Sequence, residues 1–211
     1  GNMPPMVAAV GTPEDVKNVA AFYASKKAKD GAAKNKDLVA LGERLGFRVT
    51  IADLVKSEDR EISSTAIRQA LAEGRPRAAA AMLGHWHRIE GEVIHGEKRG
   101  RELGYPTANM SVNGLHLPRL GVYATRIDIL TGPQAGSYLG ASSLGVRPMF
   151  GENTPNLETY LFDFKGDLYG QHLSVGLIDY LRPEMKFDGL PALLDQMAAD
   201  CLRAREILSA L

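Results

Sequence analysis

An unbroken run, Gly96-Glu97-Lys98-Arg99-Gly100-Arg101-Glu102-Leu103-Gly104-Tyr105-Pro106-Thr107-Ala108-Asn109, sets three glycines and two arginines directly ahead of a Pro-Thr-x-Asn turn. Glycines admit positive φ and close approach of the backbone to a ligand. Successive backbone N–H groups in such a loop make an anion-holding concavity. Pro106 fixes the chain just before Thr107 and Asn109. Their hydroxyl and amide oxygens are hard ligands, suited to Mg2+, which keeps waters and phosphate oxygens as its other partners. Gly96, Arg99, Gly100, Arg101, Gly104, Tyr105, Pro106 and Thr107 therefore read as a nucleotide-binding loop, with Thr107 and Asn109 as its metal ligands. The same composition also builds surface turns, and the spacing matches neither a P-loop nor a dinucleotide fingerprint. On the residues alone both readings stay open.

The second chemical candidate is an acid, Glu158. In a strand over residues 156–164, alternation sets Glu158, Tyr160, Phe162 and Phe164 on one face and Leu157, Thr159 and Leu161 on the other. This predicts an inward-looking, mostly aromatic row headed by a carboxylate, and a partly buried carboxylate is a plausible general base. A solvated residue at a strand end is the alternative. The histidines, His85, His87, His95, His116 and His172, are scattered. Trp86 between two of them fits linker packing better than a metal site. Asp167, in Gly166-Asp167-Leu168-Tyr169-Gly170, suits a hairpin better than a metal.

These residues need a frame. Strands are expected over 89–95, 121–130, 137–141, 156–164 and 172–181, separated by Gly, Pro, Asn and Asp clusters. Many short strands at close spacing suggest a barrel or sandwich. The tail changes period: Leu190, Leu194, Met197, Cys201, Ala204 and Leu208 form one helical stripe, so Cys201 belongs to the core. Upstream, a strand is expected over 48–55. A helix capped by Ser63 or Ser64 should run over 65–73 and stop at Gly74, with a short Ala-rich helix before Gly84. The lysines of 22–37 read as a solvated face.

Composition narrows the class. The 211 residues carry 25 basic and 25 acidic side chains, without the basic excess of a nucleic-acid-binding domain. One cysteine excludes an intramolecular disulfide and suits a reducing, cytoplasmic setting. No apolar stretch approaches bilayer length. Neither nucleic acid nor membrane is an expected partner, and the oligomeric state is not legible.

Five ordered motifs resemble the riboflavin kinase family. The run ending Gly100-Arg101-Glu102-Leu103-Gly104-Tyr105-Pro106-Thr107-Ala108-Asn109 is similar to its signature. Gly121-Val122-Tyr123-Ala124, the turn Ser143-Leu144-Gly145-Val146-Arg147-Pro148, the segment from Glu158 to Gly170, and Leu181-Arg182-Pro183-Glu184 with Lys186-Phe187-Asp188 follow in the family's order. The resemblance covers 85–211. It implies a mainly β fold, a six-stranded Greek-key barrel closed by a C-terminal helix, and phosphorylation of riboflavin by Mg-ATP to give FMN and ADP. It makes Glu158 the catalytic base and a flavin contact, and puts Arg182 in a flap over the flavin. Met149 and Ser143 depart from residues common in bacterial relatives.

Residues 1–84 form the other expected unit, a partial α/β segment. Ile62-Ser63-Ser64-Thr65-Ala66-Ile67-Arg68 resembles a motif of bifunctional bacterial FAD synthetases, whose adenylyltransferase domain precedes the kinase. Its His-x-Gly-His loop has no counterpart among the five histidines. The segment thus reads as a remnant or truncated FMN adenylyltransferase-like part. The alternatives are a bifunctional FAD synthetase with that half cut short, or a flavin-binding regulatory module without turnover.

Overall fold

The structure is a computed structural model that describes residues 31–50, 56–57, 60–96, 100, 103–149 and 152–211. By compactness the chain divides between Val55 and Lys56. In the first unit, helix α1 spans Gly31–Leu45. Residues 48–50 are irregular rather than the start of a strand. The rest of that expected strand, and most of the lysine-rich stretch, lie outside the described residues.

The second unit opens with a hairpin, β1 (Lys56–Ser57) and β2 (Arg60–Glu61). Helix α2 (Ser64–Ala72) follows, capped by Ser63, whose hydroxyl accepts the Ala66 N–H at 3.2 Å. A capping hydroxyl satisfies one of the orphan donors of the first turn. Helix α3 (Pro76–Leu83) starts on a proline, where the missing N–H is no loss. Both helices sit with the strands that follow. Arg77 Nε donates to Asp179 Oδ2 at 2.8 Å, and the Leu71 carbonyl accepts the Arg119 N–H at 2.9 Å.

Six strands then close an antiparallel barrel: β3 (Arg88–Ile94), β4 (Ala108–Ser111), β5 (Gly121–Ile129), β6 (Gly136–Met149), β7 (Glu152–Leu161) and β8 (His172–Arg182). Their order around the barrel is β3-β4-β7-β6-β5-β8. Strands β5, β6 and β7 form a meander and β8 returns beside β5, which is the Greek key. Ile89, Val93, Met110, Tyr123, Ile127, Leu144, Leu157, Leu173, Val175 and Leu177 fill the interior. Three hydroxyls share that interior. Thr125, Ser142 and Thr159 are buried and bond in a chain, 2.9 Å at each step, so each meets its partner within the core. A barrel this narrow is filled by its own side chains, so a ligand must use its ends or its outer face.

Helix α4 (Leu190–Ser209) lies against that outer face. Ala204 and Leu208 pack on Ala124, Ala141, Phe162 and Ile178, with Cys201 and Trp86 partly buried beside them. Burial, and then the Asp200 carboxylate, push the Cys201 thiol up to about 11. It is a core residue, not a nucleophile.

Three expectations change. The supposed turn at 143–148 is strand: β6 pairs with β7 continuously from Gly140↔Leu161 to Met149↔Glu152. Its pairing with β5 ends at Leu144, so Pro148 sits where one side of the strand needs no ladder bond. Ala108 and Asn109, read as part of a turn, begin β4. Finally, Glu158, Tyr160 and Phe162 face outward, whereas Phe164, past the end of β7 at Leu161, packs against the interior cluster. Leu157, Thr159 and Leu161 are the inward set, while Tyr160 and Phe162 pack beneath α4. The alternation holds as far as Phe162 and the choice of face was wrong, because Tyr160 and Phe162 serve the helix interface. No helix among the described residues is long and apolar enough to cross a membrane.

Candidate active site

Strand pairing assembles the site. Asn109 on β4 stands directly opposite Glu158 on β7, and Ser143 on β6 flanks Glu158 from the other side. These positions alternate with buried neighbours, so all three lie on the outer face. Asn156, two residues before Glu158 on the same face, ties the group together. Its Nδ2 donates to Glu158 Oε1 at 3.2 Å and lies 3.4 Å from Asn109 Oδ1. Asn109 Nδ2 in turn donates to the Thr107 carbonyl at 3.3 Å. Thr107, Asn109, Asn156 and Glu158 are each half-buried.

The glycine loop folds onto this group. A Cβ on Gly96 would stand 2.6 Å from Asn109 Nδ2, so only glycine lets the strand end lie against that amide. The Gly100 carbonyl accepts the N–H groups of both Leu103 and Tyr105, at 3.2 and 2.8 Å. Those two donors close the loop itself and are not available to an anion. Gly104 has φ +83 and Pro106 is exposed. The Tyr105 ring meets Tyr160 edge-on, with centroids 5.3 Å apart, which docks the loop on the strand that carries Glu158. Arg99 and Arg101 lie outside the described residues.

Beside Thr107 opens a cavity of about 260 Å³, lined by Val93, Pro106, Thr107, Leu161, Phe164 and Tyr169 among others. His95 stacks against Tyr169 at 3.9 Å between ring centroids. Asp167 Oδ1 accepts the Tyr169 N–H at 3.0 Å, a turn-making role in keeping with a hairpin residue.

Arg182 is held away from this group. Its guanidinium grips Asp200 of α4 through Nε and Nη2, at 2.7–3.0 Å, and Nη1 donates to the Pro183 carbonyl at 2.9 Å. The loop, Thr107, Asn109 and Glu158 thus come together, and Arg182 joins the helix. Sequence reading missed Asn156 and Asp200. The first could have been found from its position two residues from Glu158 on the same strand face. The second is a lone acid in a helix and gives no local signal.

The riboflavin kinase family model matches residues 83–208. The chain belongs to the riboflavin kinase family. It is 36% identical over 187 residues to a bifunctional riboflavin kinase/FMN adenylyltransferase of Listeria monocytogenes, covering 88% of this chain and 58% of that protein. It is 38% identical over 179 residues to the protein of that description from Escherichia coli K12, covering 83% and 56%. The chain therefore spans somewhat more than half the length of these relatives. A crystal structure described as a macrolide-efflux protein from Streptococcus pneumoniae superposes with a TM-score of 0.67 at 35% identity, over 79% of this chain and 53% of that one. The Listeria match exceeds what residues 85–211 can supply, so the similarity reaches into the segment before the barrel.

Proposed function

We propose that this chain transfers the γ-phosphate of ATP to the 5′-hydroxyl of riboflavin, giving FMN and ADP. The observation that carries the reading is the direct cross-strand pairing of Asn109 with Glu158, joined through Asn156, with Thr107, two residues before Asn109, lining a cavity. The cavity and glycine loop receive the nucleotide. Glu158 accepts the proton of the 5′-hydroxyl as that oxygen bonds to the γ-phosphorus and the bond to the ADP oxygen breaks. Such transfer depends mostly on positioning and charge neutralisation, which suits a site with few side chains.

The donor set fits a hard cation. Thr107 and Asn109 offer neutral oxygens, and the tight seat of Asn109 against Gly96 fixes one of them. These two residues would hold Mg2+. When bound, it would neutralise charge on the β- and γ-phosphates. Riboflavin and ATP are the partners of this reading. A cytoplasmic setting accords with the single, half-buried Cys201. Residues 1–84 we assign by descent to an adenylyltransferase-like segment, a reading supported by the extent of the match to the Listeria protein.

The test is chromatography of riboflavin incubated with Mg-ATP and purified chain. FMN and ADP should form in equal amounts, with no FAD, since no His-x-Gly-His loop is present in the sequence. Absence of FMN would overturn the kinase reading, and FAD accompanied by pyrophosphate would overturn the second half.

A further inference from the structure

Strand β7 ends at Leu161, and the alternation of its side chains breaks just beyond. In a continuing strand Phe164 would share the outer face with Phe162. It turns inward instead, packing on the interior cluster and meeting Tyr138 edge-on with centroids 5.1 Å apart. The reversal falls at Asp163, whose φ is +58, a left-handed conformation that among the described residues only glycines otherwise adopt. Aspartate tolerates it better than most side chains, yet such a turn persists only where its surroundings hold it.

Helix α4 supplies the hold. Arg205 donates through Nη1 to Asp163 Oδ2 at 2.8 Å and through Nη2 to Asp163 Oδ1 at 2.9 Å, a bidentate fork. The same guanidinium lies over the Phe162 ring, 4.2 Å from its centre. One cation thus grips the last outward residue and the residue that turns. The chain after the turn, from Phe164 to Tyr169, forms one wall of the cavity, and Pro106, Thr107 and Ala108 contribute another. That second wall is tied to the same aromatic row: Tyr105 rests on Tyr160, which meets Phe162 edge-on at 5.8 Å. We propose that Arg205 is a positioning residue for the nucleotide, holding Asp163 in the turn that swings Phe164 off the helix face and into the cavity wall. That the occupant is a nucleotide rests on the kinase reading above.

Three variants test this, Arg205→Gln, Asp163→Val and Asp163→Asn, with calorimetric Kd for Mg-ATP, KM for both substrates, kcat and thermal melting. The Arg205 and Asp163 side chains are 47% and 79% exposed, so the pair adds little to folding and melting should barely move in Arg205→Gln. That variant keeps the stem near Phe162 and removes the fork. Its ATP Kd and KM should rise about fivefold, the upper range for an exposed pair, while riboflavin KM and kcat stay within about twofold. Asp163→Val, whose branched side chain resists positive φ, should raise the ATP values about tenfold or more. Asp163→Asn tolerates the turn and still accepts from Arg205, so its ATP values should stay within about twofold of the wild type. An unchanged ATP Kd in Arg205→Gln would overturn the inference. So would a matching rise in riboflavin KM, a fall in kcat alone, or an Asp163→Asn variant as impaired as Asp163→Val. If Asp163→Val does not fold, the Kd of Arg205→Gln decides alone. A wild-type chain that binds ATP but makes no FMN would remove the kinase reading and leave the Kd ratios to decide this inference; one that binds no ATP would overturn both.

Discussion

Replacing Asn156 by alanine probes a side chain that joins Asn109 to Glu158, the proposed metal ligand and the proposed base. The amide donates to Glu158 at 3.2 Å and stands at 3.4 Å from Asn109 Oδ1. A hydrogen bond to a charged group contributes about 1.5–3 kcal/mol. This one is long and half-exposed, which places it at the low end, and the second contact is too long to add much. A loss of about 1.5 kcal/mol in transition-state stabilisation corresponds to roughly a tenfold fall in kcat/KM. Folding should change little, since the group lies on the outer face and leaves the barrel core intact. Thermal melting and initial-rate FMN formation, measured on one preparation, separate the two effects. Asn156→Asp should be worse than alanine, because it sets a second negative charge beside Glu158. Full activity in a folded Asn156→Ala protein would refute the idea that this amide orients the base. So would a fall in melting temperature large enough to account for the lost rate.

Other expectations follow from the same geometry. Asn109→Ala should lower kcat by about 10²-fold, as removal of a preorganised charge-stabilising group does, with little change in melting temperature; an unperturbed rate would strike Asn109 from the site. Removing residues 1–55 should leave FMN formation intact, whereas removing 1–84 also strips the Arg77–Asp179 pair and the Leu71–Arg119 bond. That should lower the melting temperature by roughly 3–4 °C, the equivalent of about 1 kcal/mol for a chain of this size; equal melting of the two truncations would contradict it. His87 is held below the ordinary histidine value of 6.5, first by burial and then by the like charges of His116 and His85. The unfolded chain therefore binds protons first as pH falls through that value, so stability should be flat above it and decline below it. His87→Gln should flatten that decline in urea titrations at about pH 5.5 and 7.5, and an unchanged slope would dismiss His87 as its source.

Local rules carried much of the fold. The Ser63 cap, the α4 stripe and four of the longer strands follow from periodicity and turn residues, because those patterns are set by near neighbours. The resemblance to riboflavin kinases supplied the barrel's closure and strand number. What escaped was decided at longer range. Strand β6 continues through Gly145 and Pro148 because β7 supports it, which no local rule predicts. Glu158's face reversed because α4, far along the chain, claims the aromatic row. The glycine loop reads as a ligand loop from its sequence, yet the Gly100 carbonyl uses two of its donors internally. Arg182 was singled out, and its partner Asp200 was not, since only the folded chain brings residues 18 apart into an ion pair.

The central claim is that Glu158 takes the proton of the attacking hydroxyl, and Glu158→Gln tests it most directly. Glutamine keeps the size and a hydrogen-bonding oxygen but cannot accept the proton. Turnover should fall about 10²–10⁴-fold, while riboflavin affinity, read by quenching of flavin fluorescence, should stay nearly intact. Normal turnover with weakened flavin binding would contradict the account and leave Glu158 as a binding residue alone.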